Sequence, residues 1–288
     1  MAPRMLTVSR RGFAALLLTT LAGCTTPPVT SLVTAPVAPP VSPAGTTSVT
    51  AAPAVRAALA PTGTLRVAVY PGSPTSMVRG PGADEMRGVT VDIGRELARR
   101  LGVPVQVVVF DRVAQVVDAL VAGQADMTIT NASPARAKLV DFTPPLVALE
   151  LGYLVLAGSP VTTLAGVDQA GVRVGVSQGS SSQAALGQAF KLAQLVPAAS
   201  LQAAGEALQA RRMDAFATNK AILFEMADGL PGARVLPGRW GLEQLALAVP
   251  QGREAGAAYL REFVEAVRAG GQVQQASARA GLRGTATP

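Results

Sequence analysis

The sequence of 288 residues contains no histidine and a single cysteine. Without histidine a Ser-His-Asp or Cys-His nucleophile is excluded, and so is a zinc site built from His and Cys ligands. Aromatic residues make up only 4% of the chain and charged residues 15%. The basic residues are spread along the chain, whereas a nucleic-acid interface needs a basic stripe with aromatic platforms. We therefore predict no cofactor, no metal and no nucleic-acid partner.

The first 24 residues are typical of an export signal. Arg4, Arg10 and Arg11 precede an apolar run over 13–22, which is too short to cross a hydrocarbon layer of ~30 Å. Residues 9–13 match most of a twin-arginine signal. The segment Leu21-Ala22-Gly23-Cys24 resembles the bacterial lipobox. Cys24 is either an ordinary small residue or the lipidated first residue of the mature protein, and its position at the lipobox favours lipidation.

Residues 25–61 are rich in Thr, Pro, Val, Ala and Ser and carry one charge, Arg56. Eight of these residues are prolines, which have no N–H to donate, and the segment has no apolar periodicity. Such a composition predicts an extended, disordered tether. The tether would hold a folded domain away from a membrane surface.

From residue 62 onward, strand patterns alternate with helix patterns. Strands are predicted at 65–70, 105–110, 127–130, 172–176, 193–196 and 215–217. Helices are predicted at 92–101, 113–122, 182–192, 201–211 and 220–228. This alternation indicates an α/β fold with a mostly parallel sheet that is covered on both faces.

The pattern contains an internal repeat. Residues 118–126 are echoed by residues 206–214, and a Thr-Asn pair follows each copy, at Thr130-Asn131 and at Thr218-Asn219. Each pair stands at the carboxyl end of a predicted parallel strand, the edge at which open α/β sheets bind ligands. Two interpretations stay open, since asparagine at this place also caps helices. In the first copy Ser133, followed by Pro134, is the predicted helix cap.

Several segments together resemble, in order, the extracellular solute-binding proteins of family 3, the receptors of polar amino-acid ABC importers. They are residues 63–71, 88–97, 118–126, 131–142 and 174–181. The resemblance implies a periplasmic-binding-protein-like type II fold, with two Rossmann-like lobes joined by two crossing strands. The implied lobe 1 is residues 62–153 plus 248–284, and lobe 2 is residues 154–247. The crossings fall at 151–158 and 245–252, and helices over 254–282 return to lobe 1.

The same resemblance implies a ligand site. Arg136 matches the arginine that clasps the ligand's carboxylate, a role that suits the two parallel donors of a guanidinium. Ser180 and Ser181 match a turn whose hydroxyl and amide meet the same carboxylate. From the residues alone, Arg136 is equally a helix arginine paired with nearby carboxylates, and the serines are equally helix caps.

Three further positions complete the implied site. Asn131 matches a Ser or Thr that touches the ligand, and Ile129 stands where the family uses a backbone carbonyl. Tyr70, at the end of the first strand, is also placed in the site.

The sequence departs from the family pattern at the ammonium site. An Asp normally accepts the ligand's α-ammonium five residues after the strand Asp of lobe 2, and here that residue is Asn219. An amide accepts a hydrogen bond but brings no charge. Glu243 is the candidate that replaces the missing charge. Thr75 and Met77 stand where ligand-stacking aromatics are expected, and we interpret Met77 and Trp240 as packing residues.

The resemblance implies the substrate-binding component of an ABC importer and not an enzyme. Such a protein captures a small carboxylate-bearing solute, an amino acid or a related organic acid, by lobe closure. We expect a monomer that is periplasmic or at the cell surface, bound to a membrane through a lipid on Cys24. Its partner would be an ABC permease in the inner membrane. Two alternatives remain: a cyclohexadienyl dehydratase-like enzyme, and a ligand sensor for another membrane protein.

Overall fold

The computed structural model describes residues 51–80, 82 and 85–286. The predicted signal segment, the lipidation site Cys24 and most of the predicted tether lie outside the described residues. Within these ranges, none of the helices combines the length and the apolar character that a bilayer crossing requires.

Eleven strands and eight α-helices alternate through the described residues. The strands are β1 (Leu65–Val69), β2 (Val78–Arg79), β3 (Met86–Arg87), β4 (Val105–Val109), β5 (Thr128–Asn131), β6 (Val140–Leu156), β7 (Arg173–Ser177), β8 (Gln194–Ala198), β9 (Ala215–Asn219), β10 (Ala233–Val235) and β11 (Gly241–Pro250). The helices are α1 (Pro53–Leu59), α2 (Val89–Leu101), α3 (Val113–Val121), α4 (Ser181–Ala189), α5 (Leu201–Gln209), α6 (Lys220–Gly229), α7 (Glu254–Ala269) and α8 (Gln272–Arg279). The predicted α/β class is confirmed.

The sheet topology combines parallel strands with two long antiparallel ones. β1 pairs in parallel with β4 and, through one bridge, with the start of β5, whereas β7 pairs in parallel with β8 and β9. β6 and β11 run antiparallel to each other and connect the two parallel groups through β5 and β9. These two strands contain most of the predicted crossings, but they begin earlier, at Val140 and Gly241.

The buried core has the same division. Two clusters of buried side chains come almost entirely from residues 51–149 and 245–276, and two come from residues 153–236, one of them with Tyr70 at its edge. The exact lobe boundaries stay a prediction. The names lobe 1 and lobe 2 denote residues 62–153 plus 248–284 and residues 154–247, respectively.

The internal repeat is visible in one ion pair per lobe. Asp126 accepts hydrogen bonds from the backbone N, the Nε and the Nη2 of Arg66, at 2.8–2.9 Å. Asp214 accepts the same three bonds from Arg173, at 2.8–3.0 Å. Each aspartate thus ties the start of its strand to the neighbouring parallel strand, and this sets the position of the Thr-Asn pair that comes after it.

The end of the predicted tether is folded, which corrects the prediction for residues 53–59. These residues form α1, with Pro53 in the first turn, where its missing N–H costs nothing. Leu59 is 1% exposed and belongs to the core of lobe 1. It packs against Gly256 of α7, which has no side chain to obstruct it. Leu59, together with the buried Ala51 and Ala60, therefore anchors this proline- and alanine-rich segment to the core.

Candidate functional site

A cavity of about 30 Å³ lies between the lobes at the carboxyl ends of β5, β7 and β9. All eight residues that the sequence analysis placed in the ligand site line it, and these are Tyr70, Ile129, Asn131, Arg136, Ser180, Ser181, Asn219 and Glu243. The other lining residues are Thr75, Val113, Thr130, Ser177, Thr218, Ile222 and Leu245. Of these, sequence reasoning missed Val113, Ser177, Ile222 and Leu245. Ser177 ends β7, so the strand-end rule by itself points to it.

Arg136 forms the positive wall of the cavity. It is 8% exposed, and its Nη1 donates to Thr130 Oγ1 at 2.7 Å. Its Nη2 is buried and has no hydrogen-bond partner among the described residues. Burial lowers the pKa of Arg136, whereas the nearby charge of Glu243 acts in the opposite direction. Arg136 thus lines the cavity and keeps one guanidinium donor without a partner in the described part of the chain.

The turn that carries Arg136 differs from the predicted helix. Ser133 Oγ accepts from Arg136 N at 3.4 Å, but the segment forms a single 3-10 turn over Arg136–Lys138. β5 ends at Asn131 and β6 begins at Val140, and this turn is the one helical element between them. The short turn places the arginine side chain directly over the end of β5.

Glu243 forms the negative wall. It is 6% exposed, and each of its carboxylate oxygens accepts one hydrogen bond from a neutral group. Ser181 Oγ donates to Oε1 at 2.7 Å, and Asn219 Nδ2 donates to Oε2 at 3.0 Å. The side-chain oxygen of Asn219 accepts from Ile222 N at 3.2 Å and so caps α6. Asn219 thus performs the capping role and also holds Glu243.

Arg136 and Glu243 are the two charged residues of the cavity lining. Neither forms an ion pair with another residue that the structure describes. Arg136 belongs to lobe 1, whereas Glu243 lies on β11 and is bound to Ser181 and Asn219 of lobe 2. The cavity lining therefore offers one positive and one negative group, neither of which has a charged partner within the described residues. Within the described ranges, no group of three or more His, Cys, Asp or Glu side chains could hold a metal ion.

Other site candidates have partners within the protein. Ser180 Oγ caps α4 by accepting from Gln183 N at 3.1 Å, as the capping interpretation predicted. Asn131 Oδ1 accepts from Gln244 N at 3.2 Å and so fixes the end of β5 to β11. Burial raises the pKa of Tyr70 to about 12, so its hydroxyl is neutral at physiological pH.

The two predicted packing residues lie outside the cavity lining. Met77 is 5% exposed and part of the lobe 1 core. Trp240 packs beside Tyr153 with the ring centroids 6.1 Å apart, and its Nε1 donates to Gly152 O at 3.0 Å. The packing interpretation is therefore confirmed.

The lobes approach each other closely at two glycines beside the cavity. Gly72 follows β1 and faces Leu201 of α5, and Gly179 follows β7 and faces Ala114 of α3. A Cβ on Gly179 would lie 2.6 Å from the Cβ of Ala114. Side chains at these positions would keep the lobes apart.

Solved structures with the same fold share limited sequence identity with this chain. A solute receptor for L-cysteine of Neisseria gonorrhoeae is 24% identical, with a TM-score of 0.70 and coverage of 78% of this chain and 92% of that one. An amino-acid ABC transporter substrate-binding protein from Streptococcus pneumoniae Canada MDR_19A, bound to L-arginine, is 20% identical, with a TM-score of 0.69 and coverage of 80% and 99%. The ancestral amino-acid-binding protein AncCDT-1, a precursor of cyclohexadienyl dehydratase, is 20% identical, with a TM-score of 0.66 and coverage of 76% and 95%.

The sequence itself matches a family model over residues 65–281, which include every residue of the cavity lining. The match takes in both lobes and both crossing strands. The chain belongs to the bacterial extracellular solute-binding proteins, family 3.

Proposed function

We propose that the protein captures a small solute through its carboxylate, which binds Arg136 in the cavity between the lobes. The observation that carries the proposal is the Nη2 of Arg136, which is buried without a partner among the described residues. A buried donor on a charged group loses its hydration and gains nothing unless a ligand acceptor meets it. A carboxylate supplies two oxygens in the geometry that a guanidinium prefers.

The rest of the cavity indicates a ligand whose remaining atoms are mostly uncharged. Apart from Arg136 and Glu243, the lining is neutral, which suits a ligand with few further charges. A lysine or arginine ligand carries two positive groups, whereas the cavity lining offers them one carboxylate, that of Glu243. The solved neighbours that bind L-cysteine and L-arginine support an amino-acid-type ligand, of which the small neutral class suits this cavity best.

The proposed mechanism is closure of the lobes about β6 and β11. A ligand that touches both walls stabilises the closed form by its higher affinity for that form. The closed protein would then deliver its ligand to an ABC permease in the inner membrane. Lipidation at Cys24 would keep the monomeric receptor on a membrane outside the cytoplasm, in the periplasm or at the cell surface.

Calorimetric titration of the purified protein with amino acids, keto acids and dicarboxylates tests the carboxylate site. The variant Arg136→Gln should weaken binding of each ligand roughly ten- to hundredfold, because a charge-assisted hydrogen bond contributes about 1.5–3 kcal/mol. Arg279→Gln is the matched control, since it removes an equal charge from an exposed side chain that pairs with Asp92 on the surface. Unchanged affinity in Arg136→Gln, with the control also unchanged, would refute the carboxylate site.

One observation favours a second candidate, a dehydratase-like enzyme. Glu243 is a buried carboxyl that faces the cavity, the kind of group that serves as an acid or base. Incubation with prephenate, followed by detection of phenylpyruvate and carbon dioxide, tests this candidate. Turnover that disappears in Glu243→Gln would favour the enzyme, whereas no turnover together with tight reversible binding would favour the receptor.

A further inference from the structure

We propose that Glu243 is the anionic acceptor for an ammonium group of the ligand, and that Asn219 and Ser181 are its positioning residues. This inference rests on the proposed carboxylate site at Arg136. It assigns the negative charge of the site to the crossing strand β11 instead of to the end of β9, where residue 219 lies.

The hydrogen bonds of Glu243 come from neutral groups alone and leave room for a cationic partner. Both of its oxygens accept, from Ser181 Oγ and from Asn219 Nδ2, and each oxygen keeps a second acceptor position. No Lys or Arg among the described residues pairs with it. A buried carboxylate that has only neutral partners is costly, and a ligand ammonium in the cavity would remove that cost.

Asn219 is suited to this arrangement in a way that aspartate is not. Its Oδ1 is occupied by the N–H of Ile222, so its Nδ2 must point toward Glu243. An aspartate at 219 would bring a second carboxylate within about 3 Å of Glu243, and two like charges at that distance do not both ionise. The Asn219 amide and the Glu243 carboxylate therefore form a hydrogen-bonded pair with a single negative charge, and that charge lies on Glu243.

The test compares ligands that differ only in the amine. Calorimetry with L-alanine and propionate, with L-cysteine and 3-mercaptopropionate, and with L-glutamine and glutaramate gives the preference for the ammonium group in each pair. Glu243→Gln should reduce that preference, measured as the ratio of the two dissociation constants in each pair, roughly ten- to hundredfold. Glu206→Gln, an exposed glutamate on α5, is the matched control.

A charge relocation separates a specific role from a structural one. In the double variant Asn219→Asp and Glu243→Gln, the aspartate can still cap α6 and can accept from the new glutamine, so the hydrogen bonds persist with the charge on residue 219. This variant should recover most of the preference for amines that Glu243→Gln loses. Recovery is the result that a merely structural Glu243 would not give.

The outcomes distinguish this inference from the proposed function. If Glu243→Gln keeps the full preference, or if the unaltered protein binds each acid as well as its amino acid, the ammonium site is refuted while an Arg136-dependent carboxylate site stands. If the double variant folds, as its melting curve shows, but recovers no preference, the proposed role is also refuted. Binding of none of the six probes would overturn the proposed function itself.

Discussion

The substitution Gly179→Ala tests whether the protein works by closing its lobes. Gly179 has φ +72° and lies on lobe 2, and an added Cβ would lie 2.6 Å from the Cβ of Ala114 on lobe 1. Real Cβ atoms do not come this close, so the closed form must open slightly or distort. If the lobes separate when the cavity is empty, this contact is lost in the open form, and the substitution should act on closure and so on affinity.

Two effects of this substitution have to be separated. An alanine in the left-handed region costs about 1–2 kcal/mol in either form, and this part lowers stability but not affinity. The clash adds about 1–3 kcal/mol, the usual cost of overpacking, in the closed form alone. Because 1.4 kcal/mol is a factor of ten in Kd, the affinity should fall roughly five- to 150-fold.

Gly171→Ala is the matched control for the backbone effect. Gly171 precedes β7 at the end away from the cavity, has φ +83°, and has no atom within 4 Å of the position of an added Cβ. Calorimetry with a ligand that binds the unaltered protein should show weaker binding for Gly179→Ala alone, although both variants lose stability. Adding Ala114→Gly to Gly179→Ala removes the clashing methyl group and should restore affinity. Equal Kd values for the two alanine variants would refute the closure argument.

Two further predictions concern the fold. Leu59→Ala should lower the free energy of unfolding by about 2–5 kcal/mol in urea denaturation, because Leu59 is buried in the core of lobe 1, whereas truncation of a side chain in a free tether would change nothing. Asp126→Ala should cost about 3–5 kcal/mol, since it leaves the guanidinium groups of Arg66 and Arg253 without their carboxylate, and its own side chain is 0% exposed. Asp214→Ala should lower the free energy of unfolding clearly less in the same assay, because its partner Arg173 is 38% exposed and can be hydrated. Equal losses for the two variants would contradict the argument that burial sets the cost of removing each aspartate.

Much of the site was predictable because it depends on the order of strands. Carboxyl ends of parallel strands converge on one edge, so Thr130-Asn131 and Thr218-Asn219 had to lie near each other once two lobes faced across a cleft. The family resemblance added Arg136 and the serines. Glu243 was a weaker prediction, and only the register of β11 brings it into the cavity.

Other features depended on contacts that no local pattern contains. Asn131 looks equivalent to Asn219 in sequence, yet it caps no α-helix. β11 lies beside β5, and the side chain of Asn131 accepts a hydrogen bond from the backbone N–H of Gln244 on that strand. The sequence of α1 predicted a tether because its proline and alanine content is a local property. The space that Leu59 fills is left by Gly256, which lies on a helix about 200 residues away in sequence. Tertiary packing decides both cases.

The distribution of charge between the lobes explains why an amino acid, and not closure alone, would stabilise the closed form. Arg136 and Glu243 are both buried in this structure, and the two side chains do not pair with each other directly. Burial without pairing is costly for both, so the empty protein gains little from closing. A ligand that carries a carboxylate and an ammonium satisfies both walls at once, and its full affinity is available only when the walls are close. A ligand that lacks either group would leave one wall unsatisfied, so the same two residues would set both the specificity and the conformational response.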